Sequence, residues 1–149
     1  MTYEQLKLEN QLCFPLYAAS HLITRRYQPH LEKLGITYPQ YLVLMVLWEY
    51  EEMTVNSISK KLILNTNTVT PLLKRMESMD LITRQRSGKD ERKVIVRLSE
   101  KGRRLREEAA SIPGKLARGF IPGVITAKET AELMEKLRRI IGFLSEENK

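Results

Sequence analysis

The sequence is poor in the side chains that build disulfides and metal sites. Its 149 residues include a single cysteine, Cys13, and only two histidines, His21 and His30. One cysteine excludes an internal disulfide and every multi-cysteine metal site, and two scattered histidines supply no ligand cluster. We therefore expect no metal and no cofactor, and any chemistry of Cys13 must be carried out alone or with a second molecule.

Long apolar runs are also missing. The longest extends from Tyr41 to Trp48, well short of the roughly 20 residues of a membrane helix. The N-terminus has no basic start followed by an apolar stretch, so no secretory signal is predicted. No phosphate-binding glycine loop and no persuasive Ser-His-Asp set is present. These absences predict a cytoplasmic protein without membrane contact that is not an enzyme.

Charge, by contrast, is plentiful and unbalanced. The formal net charge is +7 and the isoelectric point is about 9.6. Residues 74–97 hold eight Lys or Arg against four acidic residues, so the excess is concentrated in one segment. A local cationic excess of this kind favours a polyanionic partner.

Helical periodicity dominates both ends of the chain. Apolar residues recur at helical spacing from about Leu6 to Leu34, which predicts one long first helix with bends at Pro15 and Pro29. The Thr37-x-x-Gln40 spacing predicts a capping box before an almost entirely apolar second helix. Further caps at Ser99 and Thr126 predict a fifth helix, broken near Pro113-Gly114, and a long last helix.

The middle of the chain has the pattern of a helix-turn-helix followed by a hairpin. Thr54 can cap a short third helix, and the polar group at residues 65–68 can open a fourth. Residues 81–86 and 93–98 predict two strands joined by a polar turn. The predicted fold is mainly α with a small β-hairpin wing: a winged helix-turn-helix lobe over residues 37–99, with helical dimerisation regions over residues 1–36 and 100–149.

The outward face of the fourth helix and the wing predict contacts with double-stranded DNA. Asn, Thr, Lys and Arg on a helix can address bases and phosphates in the major groove, and an arginine at a hairpin tip can enter the minor groove. Asp90 either holds Arg92 or shapes the turn with Gly88. The predicted DNA-binding residues are Asn67, Thr68, Thr70, Lys74, Arg75, Arg84, Arg86, Lys89, Asp90 and Arg92.

Several segments together resemble the MarR family of transcriptional regulators, and within it the organic hydroperoxide resistance regulators of the one-cysteine type. The segments that carry this resemblance are 8–14, 34–41, 70–77 and 90–92, with Gln-Leu-Cys-Phe around Cys13 the most specific. The resemblance implies a homodimeric repressor that binds a pseudo-palindromic operator and leaves it once Cys13 is oxidised. It also implies roles in sensing for Tyr17, Tyr27 and Tyr38.

Geometry limits how these sensing residues can meet. Tyr27 follows Cys13 by fourteen residues, which is about 21 Å along a helix at roughly 1.5 Å per residue. Any contact between them must therefore join two subunits, whereas Tyr17 can be a neighbour on the same helix or reach across. Without a second cysteine, we expect the oxidised residue to form a mixed disulfide with a low-molecular-weight thiol.

Three other interpretations remain open. The first is a regulator that is released by a small aromatic or anionic ligand, with Cys13 only packed in the fold. The second is a thiol peroxidase with Cys13 as nucleophile. The third is a protein that binds DNA without sequence preference. Release of a Cys13→Ser protein by peroxide would favour the first, catalytic peroxide turnover the second, and equal affinity for operator and random duplex the third.

Overall fold

Helices make up most of the computed structural model, which describes residues 3–119 and 121–147. The chain divides into two compact units, residues 1–110 and 111–149. The first contains two short 3₁₀ helices, Glu4–Leu6 and Leu8–Asn10, followed by α1 (Cys13–Lys33), α2 (Tyr38–Tyr50), β1 (Glu52–Thr54), α3 (Val55–Leu62), α4 (Thr66–Ser78), β2 (Ile82–Arg86), β3 (Val94–Leu98) and α5 (Glu100–Ala109). The second contains α6 (Ile112–Ala117) and α7 (Ala127–Glu147).

The start of the first helix was predicted wrongly. The periodicity placed it near Leu6, but α1 begins at Cys13 and 3₁₀ turns precede it. Proline lacks the backbone N–H that the interior of a helix uses, and it is tolerated in the first turn because those N–H groups have no helical partner. A start at Cys13 puts Pro15 in that first turn, where proline costs no helical hydrogen bond, while Pro29 lies inside α1.

Helix α2 forms the centre of the first unit, as predicted. The backbone N–H of Thr37 donates to the Gln40 side chain at 2.8 Å, and the complete capping box is present. Leu44 and Leu47 are fully buried. A helix that is apolar on nearly every side is buried in a core. The other elements of the DNA-binding lobe therefore pack around α2.

Both helices of the helix-turn-helix begin at the predicted caps. The Thr54 hydroxyl accepts from the backbone N–H of Ser57 at 3.1 Å, and the Asn65 side chain accepts from that of Asn67 at 2.9 Å. Helix α4 turns Val69, Leu73 and Met76 inward, all with no exposed surface. The other face of α4 is thereby presented to solvent.

The wing belongs to a three-stranded antiparallel sheet in the order β1-β3-β2. Both hairpin strands lie where the sequence predicts them, but β1 was missed. Met53 pairs with Val96 in β3, and on the same strand Arg97 forms an ion pair with Glu52. Three residues are too few to show a period of two, so this strand is defined only by its partner.

The last helices follow their capping residues. Ser99 caps α5, and the Thr126 hydroxyl accepts from the backbone N–H of Glu129 at 3.2 Å before α7. The break after α5 comes slightly before the predicted position, because Pro113 sits in the first turn of α6, where proline is favoured. None of the described helices is long and apolar enough to span a membrane.

Candidate DNA-binding surface and cysteine region

The exposed face of α4 carries most of the predicted major-groove residues. Asn67, Thr68, Lys74 and Arg75 are exposed, while Thr70 is half-buried. Within residues 3–119 and 121–147 these four side chains are open to solvent, so they can reach base edges and phosphates. Their arrangement follows from the inward placement of Val69, since residues three and four apart share a face of a helix.

At the wing, Asp90 shapes the turn. Its carboxylate accepts from the backbone N–H of Arg92 at 3.1 Å and forms an ion pair with Lys93 at 3.7 Å. This arrangement fits the turn-shaping alternative, since the Asp90 carboxylate binds the backbone of Arg92 and not its guanidinium. Arg86, Lys89 and Arg92 are exposed along this hairpin.

Arg84 is engaged within the protein. Its guanidinium donates to the Glu77 carboxylate at 2.6 Å and 3.0 Å, and its backbone N–H donates to the same carboxylate at 3.1 Å. The pair ties α4 to β2 and so fixes the wing relative to the exposed face of α4. Sequence reasoning assigned Arg84 to DNA and missed Glu77, because the pairing of a helix with a strand has no local sequence signal.

We expect the Glu77–Arg84 pair to stabilise the fold above mildly acidic pH. Hydrogen bonds from Arg84 hold the pKa of Glu77 below its ordinary value. A lowered folded-state pKa means that this stability is present above the unfolded value of 4.5 and is lost as pH falls through the folded value. Glu77→Gln should lower the free energy of unfolding by about 0.2–1 kcal/mol at pH 7, the range of a solvent-accessible ion pair, and by less near pH 3.

Urea denaturation at the two pH values measures this difference. Glu107→Gln is a matched control, because the structure shows no ion pair for this exposed glutamate within the described residues. An equal loss for Glu77→Gln at both pH values would contradict the assignment of the pair.

A polar cleft of about 200 Å³ joins the helix-turn-helix to the wing. It is lined by Thr54, Asn56, Thr66, Thr70, Arg84, Arg92 and Lys93 together with Val55 and Val94. Hydroxyl groups and cationic side chains are the donors that bind DNA phosphate oxygens. The cleft therefore adds residues to the candidate surface that the charge count alone did not single out.

The predicted sensing residues fall into two groups on α1. Cys13 is exposed at the first residue of the helix, and Tyr17 is 69% exposed with its ring stacked on His21 at 6.1 Å between centroids. Tyr27 lies fourteen residues further along the same helix, toward its C-terminal end. One chain therefore keeps Cys13 and Tyr27 apart, as the helical rise requires.

Tyr27 belongs to an aromatic cluster that reaches through α2. Its ring centroid lies 5.1 Å from that of Tyr38 and 5.8 Å from that of Tyr41, and Tyr41 lies 6.1 Å from Trp48. Burial raises the pKa of Tyr27, and burial with the adjacent phenols raises those of Tyr38 and Tyr41. All three phenols are thus protonated hydrogen-bond donors at neutral pH. Tyr41 and Trp48 were not predicted as part of this region, because the apolar pattern of α2 assigned them to the core.

The hydroxyls of Tyr27 and Tyr38, the two half-buried tyrosines of this cluster, can reach an outside acceptor. Among the described residues, none of the hydroxyls of Tyr27, Tyr38 and Tyr41 forms a hydrogen bond, and none is sealed from solvent. Among the residues that the structure describes, no group of three or more His, Cys, Asp or Glu side chains is placed to hold a metal ion. The local chemistry is that of a set of phenolic donors.

A helix-turn-helix whose second helix presents Asn, Thr, Lys and Arg, followed by a cationic hairpin, defines a winged-helix DNA-binding protein. Comparison with known proteins specifies this class further. Residues 25–109 match the family described as transcriptional regulator SarA/Rot. The chain belongs to this family of winged-helix, MarR-type transcriptional regulators.

Individual relatives agree with this assignment. The chain is 54% identical over 114 residues to the organic hydroperoxide resistance transcriptional regulator of Bacillus subtilis (strain 168). The aligned region covers 76% of this chain and 78% of that protein. It is 38% identical to the regulator MgrA of Staphylococcus aureus over 144 residues, 96% of each chain. The resemblance to organic hydroperoxide resistance regulators is thereby confirmed.

Solved structures agree as well. Reduced AbfR bound to DNA superposes with a TM-score of 0.77 at 37% identity, covering 97% of this chain and 99% of that one. AbfR of Staphylococcus epidermidis gives the same TM-score at 38% identity, covering 96% and 97%. The predicted fold class is confirmed, and the protein is a DNA-binding transcriptional regulator.

Proposed function

We propose that two copies of this chain form a repressor that leaves its operator when an organic hydroperoxide oxidises Cys13. The observation that carries the proposal is the set of phenolic donors around Tyr27, which have no acceptor among the described residues, together with an exposed thiol at the other end of the same helix. The name of the Bacillus relative points to the same class of oxidant.

Unpaired apolar surface supports the homodimer. The start of α1 exposes Leu12, Phe14 and Tyr17 by 41–69%. In the second unit, α7 exposes Leu133, Met134, Ile140, Ile141 and Phe143 by 38–63%. Exposed apolar surface of this extent is typical of an interface, and a two-fold dimer covers the same surface on both copies. The proposed dimerisation regions are residues 1–36 and 100–149, as the sequence predicts.

In such a dimer Cys13 of one subunit meets Tyr27 of the other. The separation within one helix excludes a contact in the same chain, and crossed α1 helices bring opposite ends together. Protonated phenols donate to a thiolate, which is the reactive form of cysteine. Tyr27 and Tyr38 of the partner subunit would supply these donors, with Tyr17 placed to enclose the site.

The reaction needs only the peroxide and a thiol. The Cys13 thiolate attacks the terminal peroxide oxygen; the S–O bond forms, the O–O bond breaks, and the alkoxide takes a proton to leave as an alcohol. Sulfur is oxidised to a sulfenic acid while the peroxide is reduced. A low-molecular-weight thiol then forms the S–S bond and the sulfenic oxygen leaves as water.

The adduct would weaken DNA binding by moving the two lobes apart. A bulky group at Cys13 displaces one α1 helix against the other and so changes the distance between the two α4 helices. Dimeric readers require half-sites about 34–36 Å apart, so a modest rotation breaks the register with a pseudo-palindromic operator. A band-shift assay on DNA flanking the gene, with reduced and with cumene-hydroperoxide-treated protein at fixed salt, tests this release.

A heterodimer test distinguishes contact between subunits from contact within one. The heterodimer contains one Cys13→Ser chain, which keeps Tyr27, and one Tyr27→Phe chain, which keeps Cys13. Its single thiol faces an intact Tyr27 across the interface. We therefore expect this thiol to be oxidised at the rate of a thiol in the parent protein. Differently tagged chains, co-expressed and purified, provide the heterodimer, and the rate of thiol loss under limiting peroxide provides the measurement. The Tyr27→Phe homodimer is the control and should react several-fold more slowly; equal slow rates for both would contradict the crossed arrangement.

A second candidate function is release by a small aromatic anion. A groove of about 320 Å³ along α1 and the start of α2 favours it, since Leu31, Ile36 and Tyr38 give an apolar wall beside Arg25 and His21. A guanidinium beside an apolar wall suits an aromatic carboxylate. This regulator would respond to its ligand whether or not Cys13 is present, which separates the two functions.

A further inference from the structure

The aromatic cluster has a second end, which meets the helix after the wing. Trp48, near the C-terminal end of α2, packs edge-on against Tyr41 and donates its Nε1–H to the backbone carbonyl of Gly102 in α5 at 2.9 Å. This hydrogen bond joins residues 54 positions apart in the sequence. It ties the buried centre of the first unit to the first turns of α5.

Residues at the start of α5 donate hydrogen bonds to the carbonyl groups of residues 79–81, which directly follow α4. The Lys101 ammonium donates to the carbonyl of Met79 at 2.9 Å, and the Ser99 hydroxyl donates to the carbonyl of Asp80 at 2.6 Å. The backbone N–H of Ser99 donates to the carbonyl of Leu81 at 3.1 Å. Three consecutive carbonyl groups at the exit of α4 are therefore held by the start of α5.

The approach between these segments is close. A Cβ at Gly102 would lie 2.1 Å from the carbonyl oxygen of Leu81, well inside any permitted contact. Leu81 is 1% exposed and Gly102 is buried, so the two backbones are in close contact inside the protein. A displacement of α5 would therefore press on the residues that follow α4.

We propose that Trp48 is a positioning residue for α4, acting through Gly102. One end of α4 is set by the Asn65 cap, and the other by α5, whose own place is fixed by the Trp48 bond. Base reading depends on the angle at which α4 enters the groove, whereas attraction to phosphates depends mainly on charge. The bond is thus important for sequence discrimination and unimportant for general attraction to DNA.

The test is the ratio of affinities for operator and random duplex of equal length at fixed salt. Trp48→Phe keeps an aromatic ring beside Tyr41, removes the Nε1–H donor to Gly102 and makes the side chain smaller. We expect this ratio to fall about three- to tenfold, through weaker operator binding, with the random-duplex affinity and the salt dependence unchanged. Selective loss of this kind differs from partial unfolding, which lowers both affinities.

Tyr50→Phe is the matched control. It removes a side-chain bond from the same helix, the 2.8 Å contact between the Tyr50 hydroxyl and the Lys61 ammonium, which joins α2 to α3. We expect its affinity ratio to equal that of the parent protein. Equal ratios for Trp48→Phe and the parent, or equal falls for both variants, would overturn the proposal; urea denaturation of both variants checks that each is folded under assay conditions.

Discussion

Serine in place of Cys13 is expected to leave the protein on its operator after treatment with cumene hydroperoxide. Serine has nearly the same size and still donates a hydrogen bond, but it cannot form a sulfenic acid or a disulfide. The parent should lose affinity by a factor within the usual range of allosteric coupling, about 5–150-fold, on the same treatment. A titration of operator DNA with reduced and treated protein measures both.

The control for this experiment is another oxidisable side chain. Methionine is also converted to a sulfoxide by peroxides, and Met45 is 43% exposed on α2. Met45→Leu should therefore be released by peroxide as the parent is. If the Cys13→Ser protein still dissociates from DNA, the thiol is not the sensor, and the groove along α1 becomes the better candidate for a ligand-operated switch.

Alanine in place of Gly102 should produce the largest loss of stability. The added methyl group would overlap the carbonyl oxygen of Leu81 and also approach Leu98 Cδ2 at 3.2 Å. Overpacking of a fixed backbone costs typically 1–3 kcal/mol and occasionally more, and we expect about 3 kcal/mol because the nearest atom belongs to the backbone. Thermal or urea unfolding of the purified variant gives the value.

Gly114→Ala is the matched control for that substitution. Gly114 also lies in a helix, but apart from its chain neighbours and the backbone of that helix, no atom of the described residues lies within 4 Å of the Cβ position. Alanine there should be neutral or should stabilise by up to about 1 kcal/mol through helix propensity. Similar losses at the two glycines would mean that the close approach to Leu81 is not the cause.

The elements that could be predicted from the sequence are those whose signals are local. The Thr37–Gln40 and Thr126–Glu129 capping boxes each span four residues, and both helices start where these boxes place them. The inward residues of α4 follow from a helical period that the fold preserves. The hairpin strands are equally local, since a polar turn separates two β-rich runs.

The remaining features depend on distant parts of the chain. Strand β1 exists because β3 lies beside it, and the Arg84–Glu77 pair exists because α4 packs near β2. Tyr41 and Trp48 have the pattern of core residues, and only the fold shows that their rings connect Tyr27 to α5. The roles assigned to Cys13 and to the DNA-facing residues stay predictions, since they concern a second subunit and a bound duplex.

The position of Trp48 has an experimental consequence. It is the only tryptophan of the chain, and it lies between Tyr41 and the Gly102 carbonyl. Its fluorescence therefore reports on the junction between the aromatic cluster and the exit of α4, with no contribution from a second indole. The unlabelled protein therefore carries its own optical probe at the contact between α2 and α5, next to the C-terminal end of the DNA-binding helix.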